Sequence, residues 1–454
     1  MKKQIQLPTE NKFATIVHAQ KYHTFPEFTL ESGVTLHNVT AAYKTWGKLN
    51  ATKDNVMVIC HALTGSADVE DWWGPLIGKG RAFDTSKFFL FCGNVLGSPY
   101  GSTSPVTINP DTGRIYGPEF PLATTRDDVR LHKLVLDRLG ARQIAIVVGG
   151  SMGGMAVLEW AFLGTDYVKT IVPVATSARH SAWCISWGEA QRQSIYSDPK
   201  YLDGYYNPND PPNTGLAAAR MAALLTYRSR ISFESRFGRK YHDPSKNPAG
   251  ELSQSKVIPT TSAEKALLLH NDGHHSENII NGIYFNSNNI EKEFSTVASP
   301  SLFSAQSYLR YQGEKFVKRF DANCYISLSR KMDAHDVTTG RGEQLDQVLS
   351  KITQFAMVIG IESDGLFTIS EQQELADHMP NAEMVTIQSP EGHDGFLLEF
   401  DQINCHLLRF IKTHLPEIYQ QDASTEQEQE KVEKLVATKN SLFGEAEVGD
   451  MLKW

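Results

Sequence analysis

The sequence predicts an α/β fold in which a mostly parallel, doubly wound β-sheet carries an inserted helical unit. Strand-like and helix-like segments alternate over the first 175 residues and again from about residue 324, which is typical of a parallel sheet with crossover helices. Few strand-like patterns occur between residues 180 and 325. A Gly-x-Ser-x-Gly motif at residues 149–153 lies between an apolar run and a helical run.

The elements of the first half follow from hydrophobic periodicity. Residues 28–30 and 34–43 alternate as antiparallel edge strands do. Continuous apolar runs at 56–60, 88–92, 144–148 and 170–175 predict strands buried in a parallel sheet. Residues 125–139 predict a helix that Thr125 caps and Gly140 ends. A long loop, rich in Gly, Ser, Pro and Asn, is expected over 93–121.

The second half divides into an insertion, a return to the core and a tail. Helices are expected at 185–194, 216–227, 370–378 and 395–414, and strands at 355–361 and 383–387. We therefore predict a core in two parts, 1–178 and 326–415, with a helical cap at 179–325 over the carboxyl edge of the sheet. Residues 238–300 form a polar surface segment of the cap, and 416–454 a polar C-terminal extension. Two independent domains are the alternative.

Charge and composition narrow the classes of function. The 454-residue chain has a net charge of −8 and no long basic run, so we expect no nucleic-acid partner. Its apolar runs are too short to span a membrane. The first ten residues carry two lysines without an apolar segment behind them, unlike a secretory signal. Five scattered cysteines fit reduced thiols, so we expect a cytoplasmic protein.

The Gly-x-Ser-x-Gly motif has the layout of a nucleophile elbow, with a strand, a very tight turn and a helix. The turn would hold Ser151 in a strained conformation at the end of a parallel strand. Gly149 and Gly153 would remove the Cβ atoms that clash with the neighbouring strand and helix. Ser151 is therefore the predicted catalytic nucleophile.

A serine nucleophile needs a histidine base and an orienting carboxylate, which follow it along the chain in this class of fold. Asp364 follows the strand predicted at 355–361, and His393 follows the strand at 383–387. Both residues are expected where a strand's carboxyl end meets a loop. A rival cluster of Asp333, His335 and Asp336 could suggest a metal site, although charged surface residues are the simpler interpretation. The predicted chemistry requires no metal.

An acyl-transfer site also needs two N–H groups to bind the oxyanion. Met152, the residue after the nucleophile, is expected to supply one of them. The other should come from the loop after an earlier strand. Leu63, in the segment at 61–65, is the predicted donor.

Five segments, at 61–65, 149–154, 225–229, 307–312 and 392–396, resemble homoserine O-acetyltransferases, which are acyltransferases with the α/β-hydrolase fold. The segment at 94–101, the long insertion and the C-terminal extension resemble the fungal branch of that family. The resemblance runs from about residue 25 to 415 and includes all three triad positions.

The resemblance implies a reaction and its substrates. An acetyl group would pass from acetyl-CoA to Ser151 and then to the hydroxyl of L-homoserine, a ping-pong route used in methionine biosynthesis. The acceptor's carboxylate would bind Arg220 with Tyr227 nearby, and Asp394 would hold its ammonium group. Acetyl-CoA would be a co-substrate rather than a permanently bound cofactor, and a homodimer is implied. Independently, Arg220 interrupts an apolar helical stretch, where a charge is costly unless it is paired or reaches a pocket.

Several alternatives stay open at the level of the sequence. A serine esterase would use the same triad, with water resolving the acyl-enzyme. The donor could be succinyl-CoA, and the acceptor L-serine or a secondary metabolite, because one methylene is worth only about 1–3 kcal/mol of discrimination. A catalytically inactive α/β-hydrolase that serves as a binding module is disfavoured by the complete triad. Arg220 could form a structural ion pair, and Tyr227 could be a packing residue.

Overall fold

The computed structural model describes residues 11–241, 261–274, 303–342, 344–419 and 435. Within them, eight strands form one sheet. They are β1 (Lys21–Thr29), β2 (Thr35–Trp46), β3 (Val56–Cys60), β4 (Phe89–Gly93), β5 (Ile144–Gly150), β6 (Val168–Val174), β7 (Phe355–Ile361) and β8 (Ala382–Ile387). Their spatial order is β1-β2-β4-β3-β5-β6-β7-β8.

The sheet is parallel apart from one edge. β1 pairs with β2 and β2 with β4 in antiparallel fashion, whereas the neighbours from β4 to β8 are all parallel. The predicted mostly parallel sheet with antiparallel strands at its edge is confirmed. Because the carboxyl ends of parallel strands meet at the same edge, the loops after β3, β5, β7 and β8 are brought together there.

The helices of the described residues follow the predicted alternation. They are α1 (Val69–Trp72), α2 (Thr125–Leu139), α3 (Met152–Ala161), α4 (Ala182–Tyr196), α5 (Asn213–Tyr227), α6 (Arg230–Arg236), α7 (Ser262–His270), α8 (Ser304–Val317), α9 (Ala322–Asp333), α10 (Leu345–Leu349), α11 (Ile369–His378), α12 (Gly395–Leu398), α13 (Phe400–His414) and α14 (Pro416–Tyr419).

The start of α2 corrects one detail of the prediction. Thr124, and not Thr125, is the N-cap, and it exchanges reciprocal hydrogen bonds with Asp127 in a capping box. Both threonines have an acidic residue three positions later, but Asp128, which follows Thr125, bonds to Lys331 and to the N–H of Leu96 instead. The predicted end is confirmed, since Gly140 has a left-handed conformation with φ +85°.

The sheet separates two apolar cores. Along β3, Met57 and Ile59 belong to the core on one face, while Val56 and Val58 belong to the core on the other. α2 and α3 contribute to the second core, and α13 contributes to the first. A sheet buried on both faces explains why its central strands are continuous apolar runs in the sequence.

The chain between β6 and β7 is helical in its described parts, from α4 to α10. Most of the predicted polar segment 238–300, and of the extension 416–454, lies outside the described residues. The division into core and cap stays a prediction. None of the helices in the described residues is long and apolar enough to cross a lipid bilayer.

Candidate active site

Ser151 lies in a strained turn between β5 and α3. Its backbone has φ +59° and ψ −124°, a conformation that is unfavourable for a residue with a side chain. The turn is possible because the residues two positions before and after Ser151 are glycines, which have no Cβ atom to collide with the nearby backbone. A Cβ atom on Gly153 would lie 2.1 Å from the carbonyl oxygen of Cys60, and one on Gly149 would lie 2.6 Å from that of Gly153. This geometry is the one predicted for a nucleophile elbow.

His393 and Asp364 form a buried pair beside the cavity that Ser151 lines. Asp364 follows β7, and His393 lies in a 3-10 turn after β8. The Nδ1 of His393 is 2.7 Å from Oδ2 of Asp364, and their side chains are 3% and 0% exposed. The other carboxylate oxygen, Oδ1, accepts backbone hydrogen bonds from Leu366 at 2.8 Å and Phe367 at 3.0 Å. Asp364 is therefore fixed at both oxygens, and it orients the imidazole.

The surroundings of His393 favour its protonated form. Burial by itself lowers the pKa of His393, but the charge and hydrogen bond of Asp364, followed by the charges of Asp394 and Glu371, outweigh it and raise the pKa above its ordinary value. The ring packs against the rings of Phe367 and Phe396, with centroids 5.3 and 5.2 Å away. Such an imidazole can accept a proton and stay in place.

Of the two predicted oxyanion donors, Met152 adjoins Ser151 in the chain and Leu63 shares a cavity with it. Met152 begins α3, and the first backbone hydrogen bonds of that helix in the described chain are donated by Gly154 and Met155 to the Ser151 carbonyl. Leu63 lies in the loop after β3 and lines the same cavity as Ser151. The N–H groups of Met152 and Leu63 stay the predicted oxyanion donors.

His61 anchors the Leu63 loop, a role that the sequence analysis did not assign. Its Nε2 accepts the N–H of Val95 at 3.3 Å, so its proton lies on Nδ1, 2.8 Å from the carbonyl oxygen of Ala62. Burial lowers the pKa of His61 to about 4. The ring is therefore neutral at physiological pH and acts as a fixed bridge between two loops.

One cavity of about 60 Å³ contains most of the predicted site. Six predicted residues line it, namely Leu63, Ser151, Arg220, Tyr227, His393 and Asp394. Asp364 lies behind His393, and Met152 lines a neighbouring buried cavity beside His61. The structure therefore brings together residues that are far apart in the chain.

Arg220 and Tyr227 approach the cavity from α5. Arg220 is 3% exposed, and its guanidinium carbon lies 5.5 Å from the ring centre of Tyr227 and 5.1 Å from that of Phe316. The ring of Tyr227 is in turn 6.2 Å from that of His393. A guanidinium stacked on two aromatic rings is held in one orientation, with its positive charge at the wall of the cavity.

Asp394 is more constrained than the sequence suggests. Without the family resemblance it would be an ordinary loop residue, but its side chain is 3% exposed and forms an ion pair with Nε of Arg228 at 2.8 Å. The sequence analysis missed Arg228, although it lies within the segment 225–229 that carried part of the resemblance.

The sequence analysis also missed Arg319, which donates to the Thr64 carbonyl at 3.0 Å and the Tyr100 hydroxyl at 2.8 Å.

The rival cluster around Asp333 has a structural explanation. Asp333 forms an ion pair with Nη2 of Arg192 at 2.7 Å, and His335 is buried rather than on the surface. Burial lowers the pKa of His335 to about 4. Across the residues that the structure describes, no group of three His, Cys, Asp or Glu side chains is arranged to hold a metal ion.

Comparisons with known proteins show the family of the chain. Residues 55–400 match the family model of the α/β-hydrolase fold. The homoserine O-acetyltransferase of Ascobolus immersus is 54% identical, with 90% of this chain and 90% of the relative covered. The homoserine O-acetyltransferase of Saccharomyces cerevisiae is 50% identical, with 97% of this chain and 96% of the relative covered.

Two solved structures have the same fold. The homoserine O-acetyltransferase of Bacillus anthracis superposes with a TM-score of 0.68 at 22% identity, covering 86% of this chain and 97% of that one. An acetylester hydrolase of Corynebacterium glutamicum superposes with a TM-score of 0.67 at 20% identity, covering 88% and 99%. The fold alone thus accommodates both transfer and hydrolysis. On the sequence relationship, the chain belongs to the homoserine O-acetyltransferase family, a family of acyltransferases with the α/β-hydrolase fold.

Proposed function

We propose that this enzyme transfers an acetyl group from acetyl-CoA to the hydroxyl of L-homoserine through an acetyl-Ser151 intermediate. One observation carries the proposal. The cavity that holds Ser151 and His393 is also lined by a buried cation, Arg220, and a buried anion, Asp394. An amino-acid acceptor carries a carboxylate and an ammonium group, which these two charges complement.

The first half-reaction loads the enzyme. His393 Nε2 takes the proton of the Ser151 hydroxyl while Asp364 holds Nδ1, and the serine oxygen attacks the thioester carbonyl. The oxyanion is stabilised by the N–H groups of Leu63 and Met152. Collapse of the tetrahedral intermediate breaks the carbon–sulfur bond. His393 returns its proton to the departing thiolate, and coenzyme A leaves.

The second half-reaction uses the same residues in reverse. L-Homoserine binds with its carboxylate at Arg220, near Tyr227, and its ammonium group at Asp394. His393 takes the proton from the homoserine hydroxyl, whose oxygen attacks the acetyl-serine carbonyl. The ester bond to Ser151 breaks and the serine recovers its proton. The reaction is ping-pong because the first product leaves before the acceptor reacts.

Thiol release from acetyl-CoA tests this proposal directly, with and without L-homoserine. We expect release that depends on homoserine, parallel lines in double-reciprocal plots, and lower kcat/KM for succinyl-CoA or L-serine. Thiol release that is indifferent to homoserine would overturn the proposal in favour of a serine esterase. A preference for succinyl-CoA, L-serine or a secondary metabolite would replace only the named donor or acceptor.

We also propose a pathway, a cellular compartment and an oligomeric state for this enzyme. The product would serve methionine biosynthesis, and the five cysteines, all of which are free thiols, fit a reducing cytoplasm. Three large apolar side chains on the inserted helices are exposed, Trp183 at 58%, Leu225 at 51% and Ile231 at 67%, and they support a homodimer formed through those helices. Light scattering of the purified protein would give the mass of one chain if the dimer proposal is wrong.

A further inference from the structure

Arg228 joins the end of α5 to the loop that carries His393. It is the C-terminal cap residue of α5, and its side chain is 2% exposed. Its Nη1 donates to Oε2 of Glu391 at 2.5 Å, and its Nε forms the ion pair with Oδ2 of Asp394 at 2.8 Å. The guanidinium thus contacts two carboxylates that lie on either side of His393 in the chain.

The neighbouring backbone and side chains reinforce this contact. Gly392 has φ +71°, and a Cβ atom there would lie 2.5 Å from the backbone nitrogen of Ser229. The Ser229 hydroxyl donates to the carbonyl of Pro390, and the Ser232 hydroxyl donates to Oε2 of Glu391 at 2.6 Å. The α5–α6 junction and the histidine loop are therefore held together by several close contacts, with Arg228 at their centre.

The consequence for Asp394 is electrostatic. A buried carboxylate without a cation tends to take up a proton or to turn towards another partner. Arg228 compensates the negative charge, with its Nε 2.8 Å from Oδ2, while Asp394 still lines the cavity. A carboxylate has about four acceptor positions, so it can bind a fixed guanidinium and a substrate ammonium group together. The planar guanidinium suits this arrangement better than a lysine would.

We propose, on the basis of the proposed function, that Arg228 is a positioning residue that sets the specificity for an amino-acid acceptor. It holds the Asp394 carboxylate ionised and oriented for the acceptor's ammonium group. It takes no part in bond making or breaking, because its two partners are side chains of the protein.

Two acceptors separate this role from a general structural one. L-Homoserine and 4-hydroxybutyrate share the hydroxyl and the carboxylate, but only homoserine has the ammonium group. We expect Arg228→Gln to lower the ratio of kcat/KM values, homoserine over 4-hydroxybutyrate, by about tenfold or more, the size of one charged contact. Arg228→Lys should give an intermediate ratio. The rate of Ser151 acetylation by acetyl-CoA should change less than about threefold.

A surface variant, a double variant and the wild-type protein serve as controls for the Arg228 variants. Arg409→Gln, at a site whose side chain is 55% exposed, should leave the ratio unchanged. In an Asp394→Asn background, Arg228→Gln should have little further effect on the ratio, since the residues act as a pair. Equal losses for both acceptors would overturn the proposal and make Arg228 a structural residue. If the wild-type protein shows no homoserine-dependent turnover, the proposed function fails, whatever the variants do.

Discussion

Replacing Asp364 by asparagine gives a sharp test of the triad because the structure dictates how the amide would be oriented. Oδ1 of Asp364 accepts two backbone N–H groups, from Leu366 and Phe367. Only the amide oxygen can accept those bonds, so the NH₂ group of the asparagine would face Nδ1 of His393. Nδ1 would then have to accept a hydrogen bond, and the imidazole proton would move to Nε2. A protonated Nε2 cannot take the proton of Ser151.

The expected loss is large. In serine triads the same replacement keeps the geometry but lowers kcat by about 10⁴ through the wrong tautomer. That factor corresponds to about 5 kcal/mol of transition-state stabilisation. The shape of the site should change little, because aspartate and asparagine have nearly the same volume and the two backbone hydrogen bonds persist.

The assay is the pre-steady-state release of thiol from acetyl-CoA by Asp364→Asn, which reports the acetylation of Ser151 alone. Asp210→Asn is the matched control, since its carboxylate is 62% exposed and pairs with Lys200 at the surface. Its acetylation rate should equal that of the wild type. A loss smaller than about tenfold in folded Asp364→Asn would refute the reasoning about the tautomer.

Three further predictions concern pH, backbone contact and stability. The apparent pKa of the acid limb of kcat/KM, read from a pH–rate profile, should lie above 6.5. His393 must be neutral to act as a base, and its pKa is raised from 6.5. An acid limb with an apparent pKa below 6.5 would contradict the role of Asp364. Gly153→Ala should lose about 1–3 kcal/mol in urea unfolding, together with most activity, since its Cβ would lie 2.1 Å from the Cys60 carbonyl oxygen; wild-type stability would count against the close contact. Asp128→Asn should lower the free energy of unfolding by about 3–5 kcal/mol, because the Lys331 side chain, 1% exposed, would lose its ion-pair partner. A decrease of less than about 1 kcal/mol in the same urea assay would show that the pair is dispensable.

The fold and the positions of the triad could be predicted because their signals are local in sequence. Each triad residue lies within six residues of the end of a strand, and parallel strands bring their carboxyl ends to one edge. The ends of β5 and β8 differ from the predicted runs by only one or two residues. Such shifts are expected where a strand continues into a turn. The N-cap of α2 was misassigned by one residue, because Thr124 and Thr125 each have an acidic residue three positions later. Only the tertiary contacts of Asp128, with Lys331 and Leu96, separate them.

The residues that the sequence did not reveal act over long separations in the chain. Arg228 and its partner Glu391 are 163 residues apart, and Arg319 and Thr64 are 255 residues apart. No periodicity relates such pairs, since their contact depends on how α5, α8 and the loops around them pack in three dimensions. His61 was recognised only as the start of a loop, because its neutral bridging state depends on the N–H of Val95, which comes from another loop.

The most direct test of the central claim follows the acetyl group on the enzyme itself. The protein is incubated with acetyl-CoA, separated from free nucleotide and analysed by peptide mass spectrometry, and it is then exposed to buffer or to L-homoserine. We expect the mass of one acetyl group on Ser151, slow loss in buffer, and rapid loss with homoserine that yields O-acetylhomoserine. An acetyl group on another residue, or loss to acetate at the same rate in both solutions, would contradict the account.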